Sequence, residues 1–428
     1  MRAPGSAGAQ LAGPGVNTRR FAWTTIPLGL LMLALLAGLG TANARFSQTA
    51  RDANEFLPRW EGAHAWLTRG ASPYDPQVSL SAQRRLYGRA AIPGQGEDTA
   101  LFAYPFPTML LYAPWGAFDY EAARAGWMTL LEVLLVVAAL LAVRLAGWRP
   151  PSLLLAALLA FGVAWSPGIR SIVSGHIAVL ALVFSLAAAA SLERGGDVAG
   201  GILLALALAD PIVGPTVFLV GLAWAGSAKR WWGVSAALGT AGMLCAVSLV
   251  VMPGWPLAWL RQLAGWVEAS GGSGAGTGLM ILRWGWASGI LASLLGLAVL
   301  WAVWQSWGKG TRWLAWTMAF ALVLGDWFGL LALGASPGVY LLPAIVLILA
   351  GLGRRVRTKG EWAVAGALAL IGIGSWIPYL PAQAAPAGGI IVGSVGHALT
   401  AFGLLWVRWW VTRGAEIRGL SPDETSVD

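Results

Sequence analysis

Long apolar segments recur along the whole chain, separated by short polar stretches. A helix needs about 20 apolar residues to cross a hydrocarbon core of about 30 Å. Segments of about that length are residues 22–42, 121–145, 151–167, 175–192, 233–252, 285–307, 313–333, 337–353, 361–380 and 389–407. Two shorter segments, 197–209 and 211–226, flank Asp210-Pro211 and predict a helical hairpin whose tip stops inside the membrane. The pattern predicts an all-α polytopic membrane protein with about twelve transmembrane helices.

The composition supports this class. Of the 428 residues 57% are hydrophobic and only 11% are charged, whereas a soluble domain has about 25% charged residues. This excludes an ordinary soluble enzyme, a coiled coil and a disordered chain. One cysteine, Cys245, excludes a disulfide framework and a cysteine-ligated zinc site. The three scattered histidines predict no histidine metal cluster.

Basic residues set the predicted orientation, because cytoplasmic loops carry the excess of Lys and Arg. Most of the 28 basic residues lie on the side that holds both termini. Residues 1–21 and 408–428 are therefore predicted to be cytoplasmic tails of a multi-pass plasma-membrane protein. The transmembrane domain between them, 22–407, exposes two large external loops, 43–104 and 253–284. The net charge of +9 fits anionic lipid beside the cytoplasmic loops, and no nucleic-acid partner is expected.

The first predicted span has an alternative interpretation. Arg19-Arg20, the apolar run and Ala42-Asn43-Ala44 could form a cleavable export signal. The apolar run is long for a signal, which favours an uncleaved first helix. In either case the chain from residue 45 onward emerges on the external side.

The first external loop is rich in ionisable and aromatic side chains. Positions 56, 60, 63 and 67 are apolar or aromatic and share one face of a helix predicted over 53–69, lying on the membrane surface. Residues 70–76 have the composition of a turn. Residues 105–118 form an apolar segment too short to span, which we expect to lie in the outer leaflet or to re-enter it.

Several short motifs occur in a fixed order. They are Asp52, Gly70-Ala71-Ser72-Pro73-Tyr74, Tyr104-Pro105-Phe106-Pro107, Gly175-His176, Asp210-Pro211 and Ser336-Pro337 with Tyr340 behind it. This order and spacing resemble the glycosyltransferases of superfamily C, and within them the bacterial polyprenyl-phosphate-dependent mannosyltransferases. The resemblance covers roughly residues 20–350, and each motif alone is weak.

The resemblance implies a polytopic transferase that takes a sugar, with mannose expected, from a polyprenyl-phosphate donor. The acceptor would be an external lipid or glycan. Three polar positions depart from the family pattern: His176 stands in place of a glutamine, Asp210 in place of a lysine, and Tyr340 where a histidine is frequent. These departures leave the donor-phosphate contacts and the sugar open. No cofactor besides the donor lipid is expected, and the need for a divalent metal stays open.

Asp52 is the candidate catalytic residue. Glycosyl transfer needs a base for the proton of the acceptor hydroxyl, and a partly desolvated carboxylate at the membrane surface is suited to this. Asp52 could also be the N-cap of the helix that follows, since aspartate is favoured there. The two roles are compatible.

Other polar residues are candidates for donor or acceptor binding. They are Asn54, Glu55, Tyr74, Tyr104, Arg170, His176, Asp210 and Tyr340. A leaving phosphate needs a cation or oriented donors, which Arg170 and His176 could supply; a head-group anchor and a structural histidine are the alternatives. Glu55 and Glu61 could simply be solvated positions on the surface helix.

Three acidic residues are predicted below the membrane surface: Glu132, Asp210 and Asp326. A charge at that depth is costly, so each should face protein, water or a partner. Asp210-Pro211 could also simply end a helix of the hairpin.

Three functions remain open from the sequence. The leading one is an inverting membrane glycosyltransferase that binds membrane lipids, a lipid-linked donor and an acceptor, with Asp52 as the base. A carrier or lipid flippase also fits twelve spans, but carriers often have two related halves with broken helices in matching positions. Only one broken pair, around Asp210, is evident. The third is an inactive scaffold, suggested by the departures at 176, 210 and 340.

Overall fold

The computed structural model of the chain describes residues 18–50, 54–92, 97–272, 286–333, 336–356, 360–377 and 386–416. Asp52 and most of both predicted tails lie outside the described residues. Within the described ranges the chain forms seventeen α-helices, one 3-10 helix and no strand. The all-α prediction is therefore confirmed.

The helices are numbered in chain order. They are α1 (Thr18–Thr49), α2 (Phe56–Arg69), α3 (Pro76–Tyr87), α4 (Phe106–Gly116), α5 (Tyr120–Leu145), α6 (Ser152–Ala164), α7 (Ser166–Ser174), α8 (Ala178–Glu193), α9 (Asp197–Ala207), α10 (Gly214–Ser227), α11 (Trp231–Val251), α12 (Trp255–Gly272), α13 (Trp286–Ser306), α14 (Thr311–Leu333), α15 (Leu342–Arg355), α16 (Gly360–Gly374) and α17 (Pro386–Glu416). The 3-10 helix, Val339–Leu341, leads into α15.

Three helices of the described chain are long and apolar enough to cross a membrane: α5, α11 and α14. A fourth candidate is α6 with α7, which are bent by 47° at the break between them. These features fit a membrane protein. Helices such as α8, with 16 residues, and α9, with 11, rise only about 24 Å and 17 Å. The count of about twelve crossings therefore remains a prediction.

The predicted span 151–167 differs from the structure at its C-terminal end. Helix α6 stops at Ala164, and α7 starts at Ser166 with Pro167 in its first turn. Proline is favoured at the start of a helix, where its missing N–H is not needed. The apolar pattern continues across this break, so it could not reveal a second helix in a new direction.

Helix α2 is covered by protein instead of lying open on a membrane surface. It begins at Phe56, and its positions 56, 60 and 63 are buried as an apolar face should be, but Arg59 and Glu61 are buried as well. The helix packs against α3, α4 and α5. Of the predicted apolar face, positions 56, 60 and 63 are buried against protein, whereas Leu67 is 46% exposed. Glu61 is not a solvated position.

Helix α12, from the second predicted external loop, packs onto the first. Trp259 Nε1 donates to the carbonyl of Ala103 at 3.2 Å, and Gln262 Nε2 donates to the carbonyl of Tyr74 at 3.0 Å. The described part of the second loop is therefore in direct contact with the first at Tyr74 and Ala103.

Acidic residues inside the bundle have polar partners, as expected. Glu132 Oε2 accepts a hydrogen bond from Asn43 Nδ2 of α1 at 3.2 Å. Asp326 Oδ2 lies 3.0 Å from His397 Nε2 of α17, and both side chains are buried. These pairs join α1 to α5 and α14 to α17 across the apolar interior.

Candidate active site

Glu55 lies within a group of charged side chains immediately before α2. Its Oε2 accepts a hydrogen bond from Arg59 Nη2 at 2.9 Å, and its Oε1 lies 3.2 Å from His176 Nε2. The backbone N–H of Glu55 donates to the carbonyl of Ser174 at 2.9 Å. The start of α2 is thereby fixed to the end of α7, which brings two predicted site residues together.

Gly175 makes this approach possible. It ends α7 in the left-handed conformation with φ +70°, and a Cβ there would lie 2.6 Å from Phe56 Cβ. Only glycine accepts both the backbone angle and the close contact at low cost. The Gly175-His176 motif therefore ends one helix and holds His176 beside Glu55 before α8 begins.

His176 is held in one tautomer. Its Nδ1 accepts a hydrogen bond from the backbone N–H of Ala178 at 3.1 Å. A neutral imidazole carries one proton, so that proton is on Nε2 and is donated to Glu55. His176 therefore presents a positioned N–H group and is not a base with a free lone pair.

The two carboxylates of this region have opposite pKa shifts. Burial alone would raise the pKa of Glu55, but its electrostatic interactions with His176, Arg59 and Arg170, together with the hydrogen bond from Arg59, outweigh it and lower the pKa. Burial raises the pKa of Asp98, and the N–H of Ala100, 2.8 Å from Asp98 Oδ1, offsets this only in part. Glu55 is held ionised. Asp98 did not stand out in the sequence, because nothing local marks a loop aspartate as buried.

Arg59 connects Glu55 to the tyrosines of the site. Its guanidinium lies 4.0 Å from the ring centroid of Tyr104, a cation–π contact. The carbonyl of Tyr104 accepts a hydrogen bond from the hydroxyl of Tyr74 at 2.7 Å. Tyr74 is therefore in contact with the backbone of Tyr104. The Tyr74 hydroxyl fixes the Tyr104 segment, and burial raises the pKa of both phenols.

Asp210 and Tyr340 form a second buried group. Asp210 Oδ1 accepts hydrogen bonds from the backbone N–H groups of Ile212 and Val213 at 2.8 and 3.0 Å, which closes the turn of the α9–α10 hairpin. Its Oδ2 accepts the Tyr340 hydroxyl at 2.8 Å. The negative charge of Asp210 also contributes to the raised pKa of Tyr104.

Helix α5 holds the chain on both sides of the segment that contains Asp52. Arg124 Nη1 donates to the carbonyl of Ala50 at 2.7 Å, and the hydroxyl of Tyr120 accepts from Asn54 Nδ2 at 2.8 Å. Asn54 Oδ1 accepts the N–H of Leu57, in the first turn of α2, at 2.9 Å. The capping role that was one alternative for Asp52 lies outside the described residues. Arg124 was missed because it lies inside a predicted span.

A cavity of about 270 Å³ lies between α1, α2, α3 and α5. Its lining consists of Ser47, Gln48, Ala50, Leu57, Arg85, Leu86, Tyr120 and Glu121. Among the described residues no group of three or more His, Cys, Asp or Glu is placed to hold a metal ion.

Comparison with known proteins gives a family. A family model described as glycosyltransferase family 87 matches residues 102–334, more than half of the 428 residues. No curated protein and no solved structure matches the chain. The matched part includes Tyr104, Arg170, His176 and Asp210. This agrees with the resemblance to superfamily C, and the chain belongs to glycosyltransferase family 87, a family of that type, and is a glycosyltransferase.

Proposed function

We propose that the protein transfers a sugar, with mannose the expected one, from a polyprenyl phosphate to a lipid or glycan acceptor on the external face of the plasma membrane. One observation carries the proposal. Glu55, Tyr104 and His176 come from three distant segments, and the structure brings them together: Glu55 contacts His176, and Arg59 contacts both Glu55 and Tyr104. Family membership favours a transferase over a carrier. We also propose that the chain crosses the membrane twelve times and that both of its termini are cytoplasmic.

In the proposed reaction Asp52 acts as the general base. The acceptor oxygen attacks the anomeric carbon while its proton passes to the Asp52 carboxylate. The bond between that carbon and the phosphate oxygen breaks, and the electron pair leaves with the polyprenyl phosphate. A single displacement of this kind inverts the configuration at the sugar carbon.

The charged group around Glu55 would bind and orient the substrates. Arg170, on the exposed side of α7, contributes to the positive potential that lowers the pKa of Glu55. The same potential would stabilise negative charge that develops on a leaving phosphate. Glu55 would hold Arg59 and His176 in place, while Tyr74, Asp210 and Tyr340 support the segments behind them.

Transfer by the purified protein tests the proposal. The full chain in nanodiscs is given a labelled polyprenyl-phosphate mannose, its glucose counterpart and a panel of lipid and glycan acceptors, and the anomeric configuration of the product is determined. Asp52→Asn should lower kcat by at least about 100-fold, the range expected for loss of a general base. Asp119→Asn is the matched control, since Asp119 is exposed on the same predicted side, just before α5.

Two results would overturn parts of the proposal. Full activity of Asp52→Asn would remove this residue as the base. A lack of transfer from every polyprenyl-phosphate sugar, together with transfer from a nucleotide sugar, would remove the lipid-linked donor.

A further inference from the structure

Two loops at one end of the helical bundle are joined by hydrogen bonds. One loop runs from α10 to α11, and the other runs from α13 to α14. The N–H of Gly308 donates to the hydroxyl of Ser227 at 3.2 Å, and Trp224 Nε1 donates to the carbonyl of Lys309 at 3.1 Å. The two loops therefore form one continuous surface, although they are far apart in the sequence.

Four basic residues lie on these loops and on the first turn of α14, and three of them have no acidic partner. Arg230 Nη1 lies 2.7 Å from Asp197 Oδ1, so the charge of Arg230 is compensated. Lys229, Lys309 and Arg312 are exposed, and within the described part of the chain none of them forms an ion pair. These three residues, the basic surface, leave an excess of positive charge.

The lysines of the basic surface are held in defined positions. Lys229 has φ +58°, in the left-handed region that favours glycine, and its N–H donates to the carbonyl of Gly226 at 3.0 Å. The ammonium of Lys309 lies 3.9 Å from the centroid of the Trp313 ring, a cation–π contact. This contact uses one side of the ammonium, which has three N–H donors. Donors of Lys309 are therefore available to an anion.

The helix ends at the basic surface add little net charge to it. Helices α10 and α13 end here, each with the negative end of its dipole, and α11 and α14 begin here, each with the positive end. These contributions largely cancel. The charges of the side chains therefore determine the electrostatic potential of the surface.

Four exposed tryptophans lie close to the basic residues along the chain. Trp231 and Trp232 begin α11 and are 64% and 76% exposed, and Trp304 and Trp307, at the end of α13, are 69% and 59% exposed. Indole side chains favour the head-group region of a bilayer. Helix α11 is one of the helices able to cross a membrane, and only 11% of its most apolar part is buried. The start of α11 therefore lies at the level of the lipid head groups.

We propose that the basic surface binds the head group of an anionic phospholipid, with Lys229, Lys309 and Arg312 around the phosphate and the exposed indoles against the lipid. Cations at head-group level attract negatively charged lipid. A soluble acidic partner would match the charge, but it would not explain exposed indoles at that level. The sequence predicts these loops to be cytoplasmic, so the lipid belongs to the inner leaflet.

Lipid-dependent stabilisation tests the proposal. The full chain in a maltoside detergent is titrated separately with phosphatidylglycerol, with phosphatidylcholine and with polyglutamate, and Tm is recorded. A ligand that binds the folded state raises Tm. Phosphatidylglycerol should raise Tm more than phosphatidylcholine, which carries a phosphate but no net charge. The double variant Lys309→Gln/Arg312→Gln should weaken binding of phosphatidylglycerol by about tenfold or more, since each cation near anionic lipid contributes about fivefold.

The double variant Arg149→Gln/Arg194→Gln is the matched control. Arg149 lies between α5 and α6, and Arg194 lies between α8 and α9, so this variant removes the same charge from other loops of the predicted cytoplasmic side. It should leave binding of phosphatidylglycerol unchanged. All four substituted side chains are exposed, so both variants should fold, and their Tm without lipid verifies this.

The outcomes separate lipid binding from the alternatives. A preference for phosphatidylglycerol that requires Lys309 and Arg312 supports the proposal, with or without an effect of polyglutamate. Equal binding by the two double variants, or an equal response of the wild type to both phospholipids, would overturn it. Stabilisation by polyglutamate alone would assign the surface to a soluble acidic partner and would also overturn it. No readout depends on sugar transfer, so failure of the proposed function would leave this result intact.

Discussion

Asp210 and Tyr340 are 130 positions apart in the sequence, yet the Tyr340 hydroxyl donates a 2.8 Å hydrogen bond to Asp210 Oδ2. Both residues depart from the pattern of the superfamily that the chain resembles. Their contact means that the two departures meet in one buried pair, so neither polar group is left without a partner. The pair joins the hairpin turn to the 3-10 helix that precedes α15.

The Tyr340→Phe variant should therefore be less stable than the wild type. The substitution leaves one oxygen of a buried carboxylate without its partner, at a cost of about 1–3 kcal/mol. Tyr112→Phe is the matched control, because Tyr112 is equally buried and its hydroxyl has no partner among the described residues. Chemical unfolding in detergent measures both. Equal stability of the two variants would contradict the role given to the Asp210–Tyr340 bond.

The Gly175→Ala variant should disrupt the contact between α2 and α7. The left-handed angle costs a non-glycine residue about 1–2 kcal/mol, and the Cβ would also press against Phe56. Gly70→Ala separates the two effects, because Gly70 has a similar φ of +63° but nothing within 4 Å of its Cβ position.

Unfolding free energies of the two alanine variants test this comparison. Gly175→Ala should be clearly the less stable, and its sugar transfer should fall because Glu55 and His176 separate. If the two variants lose the same stability, the close contact with Phe56 contributes nothing beyond the backbone angle.

The sequence predicted helices best where an apolar run has clear polar ends. The predicted span 121–145 agrees with α5 to within one residue, and the hairpin around Asp210-Pro211 was also predicted correctly. The apolar run up to Trp165 was predicted as one span, but Ser166-Pro167-Gly168 was taken as the end of that span, although these residues start a second helix. The direction of α7 depends on its contacts with other helices, and the hydrophobic periodicity of the sequence does not reveal those contacts.

The site was predictable only where motifs marked it. Glu55, Tyr104 and His176 were among the candidates and meet in the structure. Arg124 and Asp98 were missed because their surroundings come from distant segments. Arg124 donates a hydrogen bond to a backbone carbonyl 74 positions away. Every residue has such a carbonyl, so the sequence gives no sign of which one is the acceptor.

Acid should destabilise the protein partly through Glu55. Its pKa in the folded chain is lowered from the ordinary 4.5 by His176, Arg59 and Arg170 despite burial. The stability that it contributes is therefore complete above about pH 4.5 and is lost as pH falls through the lower folded pKa. Glu55→Gln should lower Tm at pH 7 and make Tm less sensitive to acid. An unchanged acid dependence in Glu55→Gln would rule out this contribution.

Asp98 should have the opposite effect on the pH dependence of stability. Burial raises its pKa above the ordinary 3.8, so its ionisation opposes folding at pH 7. This penalty disappears as pH falls through the raised pKa towards 3.8. Asp98→Asn keeps an oxygen for the N–H of Ala100 and should raise Tm at pH 7, with little effect near pH 3. A decrease of Tm at pH 7 would show that the Asp98 charge is needed for stability.

Asp326 and His397 should be energetically coupled inside the bundle. His397 Nδ1 lies 2.7 Å from the carbonyl of Gly393, and its Nε2 lies 3.0 Å from Asp326 Oδ2. Removing one partner of a buried pair leaves the other uncompensated, at about 3–5 kcal/mol. Asp326→Leu and His397→Leu should each be strongly destabilising, whereas the double variant removes both polar groups and should lose much less than the sum. A double-mutant cycle on unfolding free energies in detergent measures this coupling, and additive losses would show that the two side chains act independently.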